Sequence, residues 1–290
     1  MSGPADRAGG EPAPAGWFAG EDHPIDGSGT VRSTCVLAPN PSPMTLDGTN
    51  TWLIADPGSA AAIVVDPGPD DEAHLSRVRG LAAEAGQQVR LIVLTHRHRD
   101  HSAGAARLAG MTGAPVRAVD PAHRLGEEGL PPGAVLDEGG CELRVIATPG
   151  HTDDSVCLQI AADGALLTGD TVLGRGTTVI ARDGSLADYL DSLSRLRMLV
   201  EEAGLQVLLP GHGPMLAGPA AVLDFYLAHR AERLEEVLAA IAAGDRTLAE
   251  IVQRVYAAVD PGLWPFAQWS VRAQLEYLAG RGVLPAGFTW

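Results

Sequence analysis

The feature that most constrains this chain is a group of ionisable side chains directly after a predicted buried strand. Residues 89–95 (VRLIVLT) form a continuous apolar run that is typical of a strand, and it leads straight into HRHRDH. His96 and His98 alternate, so in an extended segment they project to one side. Asp100 and His101 follow, where the chain is expected to turn into a helix. Because imidazole and carboxylate groups are zinc ligands, this segment predicts a metal site.

Three more candidate ligands lie near the ends of later predicted strands: His151 in TPGHT, Asp170 in LTGD and His212 in PGHG. Neighbouring glycines permit backbone turns that a β-carbon would block, so these side chains can converge on the first group. Seven ligands are what two ions need when one carboxylate bridges them. We therefore expect two divalent metal ions as the cofactor. Zinc is the first expectation, and iron and manganese also suit these ligands.

Composition favours a globular protein of the cytoplasm. The hydrophobic share of the 290 residues is 46%, which is ordinary for a soluble globular chain. The three cysteines are widely spaced, so we expect no disulfide framework and a reducing compartment. The first twenty residues lack the features of a signal peptide, and no run of about 18 apolar residues predicts a membrane span. We therefore expect a cytoplasmic protein with no membrane partner.

The chain divides into three parts that differ in composition and in hydrophobic pattern. Residues 1–30 are rich in Gly, Ala and Pro and predict a loose arm. Residues 31–217 mix β-like runs with helical patterns and predict an α/β domain, whereas residues 218–290 predict helices alone. The helical part has six Arg and eight acidic residues, and the whole chain has a net charge of -15, so RNA is not a favoured partner.

The first helix of residues 218–290 carries an apolar stripe that needs a partner surface. The stripe consists of Leu223, Tyr226, Leu227, Leu234 and Leu238. Since this helix starts a few residues after His212, we expect the helical part to cover the metal cleft, or to form a homodimer over it. In either arrangement it would select the substrate.

Taken together, the H-x-H-x-D-H, G-H-T, T-G-D and P-G-H-G segments resemble the signature of the metallo-β-lactamase superfamily, over about residues 32–217. The resemblance implies a four-layer αββα sandwich with the metals in a cleft at one edge of the two sheets. It also divides the ligands between the two metals and a bridge. It implies His96, His98 and His151 for the first metal, Asp100, His101 and His212 for the second, and Asp170 as the bridge.

A narrower likeness, to the β-lactamase-like protein 2 subgroup, rests on PMTLDGTNTWLI, GHTDDS, TGDTVLGRGTTVI and a late R-G-V-L. It implies a winged-helix-like C-terminal domain. The subgroup includes a single-strand endoribonuclease and polyketide acyl-carrier thioesterases. Many true lactamases have Cys at the position of Asp170, so antibiotic hydrolysis is not expected. Asn50 is either a substrate-binding residue or a simple turn residue, and Thr177 and Thr178 are either cleft residues or polar loop residues.

The predicted activity is metal-assisted hydrolysis of a thioester or ester. Asp100 is the candidate catalytic residue, because it can hold the attacking water and take its proton. The acidic charge and the carboxylate at Asp170 favour a small-molecule or acyl-thioester substrate. One alternative is a single-strand endoribonuclease or phosphodiesterase. Another, from a different class, is an iron-dependent sulfur oxygenase or a non-catalytic metal module.

Overall fold

A computed structural model describes residues 24–285, 288 and 290. The arm expected at residues 1–30 therefore lies outside the described residues as far as residue 23. The stretch from 24 to 30 is not loose, because it is hydrogen bonded to the folded domain. The Gly27 amide donates to the Cys35 carbonyl at 2.9 Å, and the Thr30 hydroxyl donates to Asp163.

The first sheet has five strands within the described residues, and they are arranged in chain order. They are β1 (Ser33–Leu37), β2 (Asn50–Ile54), β3 (Ala61–Val65), β4 (Gln88–Val93) and β5 (Val116–Arg117). The first three strands pair antiparallel, and β3, β4 and β5 pair parallel. Helices α1 (Glu72–Glu84) and α3 (Ala105–Thr112) cover its outer face, and the short α2 (Arg99–Ser102) lies between β4 and α3.

The second sheet has six strands in the described chain, in the order β11-β10-β9-β8-β7-β6. They are β6 (Val135–Leu136), β7 (Leu143–Ala147), β8 (Val156–Ile160), β9 (Ala165–Gly169), β10 (Val207–Pro210) and β11 (Leu216–Ala217). Its only parallel pair among these strands is β9 with β10, which α4 (Leu186–Ala203) connects. A parallel pair needs such a crossover because the chain must return to the same edge.

The two sheets pack face to face over a shared apolar core. Leu91 and Val93 of β4 meet Leu158 of β8 and Leu167 of β9 in this core, and all four are buried. Helices cover the outer face of each sheet, so the layers run helix, sheet, sheet, helix. This arrangement confirms the four-layer αββα sandwich.

Helix ends were predictable where a side chain caps them. The Asp71 carboxylate accepts the His74 amide at the start of α1, and the Ser185 hydroxyl accepts the Asp188 amide at the start of α4. The last helix begins at Trp264, because Pro265 fits the first turn of a helix and so does not end it. Strands of two residues, such as β5 and β11, are too short to show a period.

Helix α5 (Pro219–Ala242) belongs to two apolar cores. Its first half packs Val222, Leu223 and Tyr226 onto the second sheet and α4. Its second half packs Val237 and Ile241 against α6 (Leu248–Val255) and α7 (Trp264–Gly280). The helical part therefore packs directly on the sandwich through α5, although the sequence pattern changes from mixed strands and helices to helices alone near residue 218. Among the described helices, none is both long and apolar enough to cross a membrane.

We expect Leu223→Ala to destabilise the whole protein. Leu223 is fully buried between α5, α4 and the second sheet, so the truncation leaves a cavity and should lower the free energy of unfolding by about 2–5 kcal/mol. Urea unfolding followed by circular dichroism measures this change. The control is Val283→Ala, at a side chain that is 50% exposed, where we expect a change within about 0.5 kcal/mol. Equal effects of the two substitutions would contradict this packing.

Candidate metal centre

The candidate ligands converge because strands of both sheets end at one edge of the sandwich. His96 lies three residues after β4, whereas Asp170 and His212 follow the neighbouring parallel strands β9 and β10. The two sheets meet here at Thr95, whose carbonyl accepts the Val156 amide at 2.9 Å. Parallel strands end at the same edge of a sheet, so side chains far apart in sequence become neighbours.

Glycines permit this close approach at two positions. Gly169 has a φ of 47°, and a β-carbon there would lie 2.6 Å from the Thr95 hydroxyl oxygen of the opposite sheet. A β-carbon at Gly211 would lie 2.7 Å from the Asp170 Oδ1 atom and 2.7 Å from the His101 ring. Both glycines therefore leave the space that the cluster of side chains occupies.

All seven predicted ligand side chains lie together in the structure. Three groups have ligand atoms within 4.8 Å of one another: His96, His98 and His151; His96, His101 and Asp170; and Asp100, His101 and His212. The first and third groups are the two triads that the resemblance implies. Asp170 lies between them, with Oδ2 3.6 Å from His151 Nε2 and 3.5 Å from His212 Nε2. This is the place that a bridging carboxylate would take.

A buried carboxylate, Asp66, orients two of the rings. Its Oδ2 atom accepts the Thr95 hydroxyl at 2.6 Å and the His101 Nδ1–H at 2.9 Å, and its Oδ1 atom accepts the Thr95 amide at 2.7 Å. Because the Thr95 proton goes to Asp66, the Thr95 oxygen is left to accept the His96 Nδ1–H at 3.0 Å. The Nε2 lone pairs of His96 and His101 therefore face the centre.

The other three rings are held in the same way by separate acceptors. Asp183 accepts His98 Nε2–H at 2.9 Å, the Gly48 carbonyl accepts His212 Nδ1–H at 3.0 Å, and the Val179 carbonyl accepts His151 Nδ1–H at 2.9 Å. Each ring therefore uses one nitrogen to donate outwards and presents the other nitrogen to the cluster. Metal-binding histidines are commonly oriented by such hydrogen bonds.

The inner faces of these rings fit a pair of cations. His151 Nε2 lies 3.0 Å from His98 Nδ1, and His101 Nε2 lies 3.1 Å from His212 Nε2, so the inner nitrogens of the rings face each other in pairs. His96 Nε2 and Asp170 Oδ1 are buried, and neither has a hydrogen-bond partner among the described residues. Buried polar atoms need a partner. A divalent ion held by imidazole and carboxylate ligands would supply it.

The charges of the cluster also call for cations. Burial would raise the pKa of Asp100, but His101 and His212 lower it to about 2. Burial would lower the pKa of His212, but Asp170 and Asp100 raise it to about 9. The pKa of His101 likewise lies well above its usual value, because Asp170 and Asp100 outweigh the effect of burial. The two carboxylates therefore favour positive charge at His101 and His212. Without metal ions this charge is an added proton on the inner nitrogen, and bound metal ions would displace that proton and use the lone pair.

A cleft opens from the cluster and is walled by both parts of the chain. Its volume is about 190 Å³, and His151 and Asp170 lie at its inner end. Thr177 and Thr178 line it, and the sequence had left a cleft position and a polar loop position open for both. The helical part contributes the opposite wall with Phe225, His229, Arg230, Arg233, Tyr256, Val259, Leu263, Phe266, Ala267 and Ser270. The expectation that residues after 218 cover the cleft matches this arrangement.

Asn50 does not line the cleft. It is buried at the start of β2, and its side-chain amide donates to the carbonyls of Pro210 at 2.9 Å and Gly213 at 2.8 Å. These two bonds hold the turn that carries His212. The structure therefore assigns Asn50 to the support of a candidate ligand, where the sequence left a substrate contact or a turn open.

Helix α5 also supports a candidate ligand through the loop at residues 173–179. The Tyr226 hydroxyl accepts the Leu173 amide at 2.9 Å and donates to the Gly176 carbonyl at 2.9 Å. Arg230 donates to the Thr178 carbonyl at 2.5 Å. The same loop holds His151 through the Val179 carbonyl, so the helical part positions the metal cluster as well as walling the cleft.

Sequence reasoning missed the residues that orient the rings. Asp66 ends the apolar run AAIVVD, so its position at the end of a strand beside β4 could have marked it. Asp183 lies in the loop before α4, and no spacing in the sequence relates it to His98. His229, expected on the surface, is partly buried in the cleft wall.

Comparison with known sequences finds the same organisation. The model of the metallo-beta-lactamase superfamily matches residues 44–212, and that of the beta-lactamase associated winged helix domain matches residues 247–284. A beta-lactamase-like protein 2 homolog of Caenorhabditis elegans is 32% identical over 233 residues, which cover 77% of this chain and 76% of the relative. An atrochrysone carboxyl ACP thioesterase of Aspergillus fumigatus is 28% identical, over 78% of this chain and 73% of the relative.

Comparison with solved structures supports the fold. A beta-lactamase domain protein from Burkholderia ambifaria superposes with a TM-score of 0.75 at 24% identity, and the match covers 92% of each chain. Because the match extends over nearly the whole length of both chains, the helical part is included in the shared architecture.

We expect Asp66→Asn to weaken metal binding while the fold persists. The single amide oxygen cannot replace both carboxylate oxygens, which accept the Thr95 amide, the Thr95 hydroxyl and His101, and the NH2 group would face a donor. His101 should therefore lose its fixed orientation, and metal affinity should fall by about 10–100-fold. Competition with a chromophoric chelator measures the affinity. The control is Asp71→Asn, since Asn caps a helix as well as Asp and Asp71 touches none of the five rings in the described contacts. Unchanged affinity in Asp66→Asn would refute the orienting role.

Proposed function

Because the chain belongs to the metallo-beta-lactamase superfamily and is a hydrolase of that fold, we propose that it hydrolyses a thioester or ester with two divalent metal ions. The observation that carries the proposal is the arrangement of the seven side chains. Five imidazoles donate outwards and present their lone pairs inwards, and two carboxylates complete the set. We propose zinc as the ion, since imidazole and carboxylate ligands suit it.

Bound divalent cations supply Lewis acidity, which polarises a carbonyl oxygen and makes a water molecule a stronger acid near neutral pH. The chain supplies the groups that handle the proton. Asp100 is the candidate, because its side chain is 30% exposed and is ionised. The nearby histidines outweigh the effect of burial and lower its pKa to about 2. An ionised carboxylate can hold a water by a hydrogen bond and take up its proton.

The cleft supports a thioester or ester substrate with a compact acyl group. Its walls combine apolar side chains such as Met44, Leu263 and Phe266 with the hydroxyls of Thr177 and Thr178. Such a surface can bury an organic group and exclude bulk water from the reacting bond. The relationship to a fungal protein named as an acyl-carrier thioesterase supports the same substrate class. It also favours hydrolysis over an oxygenase or an inert metal module.

A single-strand ribonuclease is the second candidate, and the match to a winged helix domain at residues 247–284 favours it. The charges of that region argue against it. Residues 247–284 hold three Arg and three acidic residues, and Arg254 pairs with Asp245 at 2.5 Å, so this region is not a basic surface. Tight binding of a nucleic acid needs several cations that can contact phosphates.

The first prediction of the proposal is a content of two metal ions per chain. Protein purified after reloading with excess zinc and removal of free metal should contain about two ions by elemental analysis, because seven ligands suit two ions and not one. His101→Ala should lower this content, since His101 belongs to two of the three ligand groups. A content of one ion in the reloaded wild-type protein would rule out the dinuclear centre.

The second prediction concerns Asp100. Asp100→Asn keeps the size of the side chain but removes the proton acceptor, so kcat should fall by about 10²–10⁴-fold on any thioester or ester that the protein hydrolyses. The matched control is Asp191→Asn on the exposed surface of α4, which changes the net charge equally and should leave kcat unaltered. Near-normal turnover by Asp100→Asn would show that another group takes the proton.

A further inference from the structure

The charge of the cleft is opposite to that of the protein as a whole. The chain has 36 acidic residues and 21 basic ones, yet the charged side chains that line the cleft are Arg175, Arg230, Arg233 and a single carboxylate, Asp170. Asp170 is a candidate metal ligand and would be neutralised by the bound ions. A cleft lined by one sign of charge raises the local concentration of ligands with the other sign.

Arg230 is a buried cation in this wall. It is 5% exposed, it lies over the Tyr189 ring at 5.0 Å, and its Nε atom is buried with no partner in the described structure. None of the described carboxylates forms an ion pair with it. Burial of a charge is costly unless an opposite charge or hydrogen bonds compensate it. The Thr178 carbonyl accepts one N–H of Arg230, and an anion in the cleft would compensate the rest of its charge.

Arg233 lies on the same wall, about one helical turn further along α5. Its guanidinium lies 5.5 Å from the centre of the Tyr256 ring and is 19% exposed. One of its N–H groups bonds Glu236 at 2.8 Å, and Glu236 is half exposed, which weakens that ion pair. A guanidinium has five N–H donors, so Arg233 can also bind a carboxylate or phosphate in the cleft.

The remainder of the wall is aromatic and uncharged at neutral pH. His229 stacks on Phe225 with an interplanar angle of 17°. Burial, together with Arg230 and Arg233, lowers the pKa of His229 to about 4, so this ring is neutral at pH 7. Flat rings and apolar side chains bind an apolar or planar group, whereas the two arginines favour an anion beside it.

We propose that the cleft binds a thioester with a compact apolar or aromatic body and an anionic group, a carboxylate or a phosphate, that Arg233 contacts beside Arg230. The anion can belong to the acyl group or to the arm that carries the sulfur. The inference rests on the proposed thioester hydrolysis and adds the charge of the substrate. The aromatic side chains of the cleft wall suit an apolar or planar group, and the two guanidinium groups suit one anion beside it.

The test uses the zinc-loaded full chain and two matched pairs of substrates. The first pair is the benzoyl and 4-carboxybenzoyl thioesters of N-acetylcysteamine, which differ only in a carboxylate on the acyl group. The second pair is the benzoyl thioesters of pantetheine and of 4′-phosphopantetheine, which differ only in a phosphate on the arm. We expect the charged member of at least one pair to have a kcat/KM about tenfold to a hundredfold higher than its neutral partner.

Arg233→Met should abolish that preference, because it should lower kcat/KM for the charged substrate about tenfold to a hundredfold more than for the neutral substrate. Arg233→Lys should restore part of the preference. The matched control is Arg281→Met, because Arg281 lies over the Tyr277 ring at the same 5.5 Å but outside the cleft. The absence of any preference in the wild type, or an equal loss on charged and neutral substrates in Arg233→Met, would overturn the inference.

Product binding separates this inference from the proposed function. Calorimetry without turnover uses two anionic probes, terephthalate and 4′-phosphopantetheine, whose additional carboxylate or phosphate is the group that Arg233 would contact. Benzoate is the reference, since it has only the carboxylate that hydrolysis releases. If no thioester is hydrolysed but one of the two anionic probes binds more weakly to Arg233→Met, the proposed reaction fails and the anion site stands. If thioesters are hydrolysed and neither anionic probe depends on Arg233, the anion site fails. A single-stranded RNA that displaces both probes at physiological salt would overturn the thioester substrate class.

Discussion

Hydrogen bonds on the outer side of five histidine rings determine how this protein can work. Each ring donates one N–H to a fixed acceptor. This hydrogen bond fixes the orientation of the ring, and the second nitrogen therefore faces the centre. The acceptors are Asp66, through its own contact and through Thr95, together with Asp183 and two backbone carbonyls. Lone pairs held this close repel one another unless cations lie between them, which is why the cluster fits metal ions.

These hydrogen bonds can form only because the two sheets of the sandwich approach each other at one edge. Two sheets must meet at one edge for Thr95 to lie beside Gly169, and the glycine is needed because a β-carbon would collide with the Thr95 hydroxyl. Asn50 then fastens the His212 turn to the first sheet. Apolar packing between the sheets stabilises the fold. This stabilisation offsets the free-energy cost of holding polar groups together at the edge of the sheets.

Helix α5 connects the metal cluster to the surface that meets the substrate. Leu223 anchors it on the second sheet, Tyr226 and Arg230 hold the loop behind His151, and Arg233 reaches the cleft one turn later. A change in the helical part can therefore alter the position of a candidate ligand as well as the shape of the cleft. The helical part is for this reason a structural component of the centre, which its sequence alone, with no ligand residue, did not indicate.

The sequence by itself determined the fold class and the seven candidate ligands. Histidines, aspartates and glycines at the ends of strands form local patterns, so they can be assigned to predicted strands from the sequence. It could not determine the residues that meet only after folding. Asp183 reaches His98 across 85 positions, and Asn50 serves the His212 turn and not the cleft. In the sequence, Arg230 is simply an arginine in a predicted helix. Only the tertiary structure shows that it is buried without a described carboxylate partner. Spacing predicts which side chains share an element, whereas burial and long-range contacts decide what each one does.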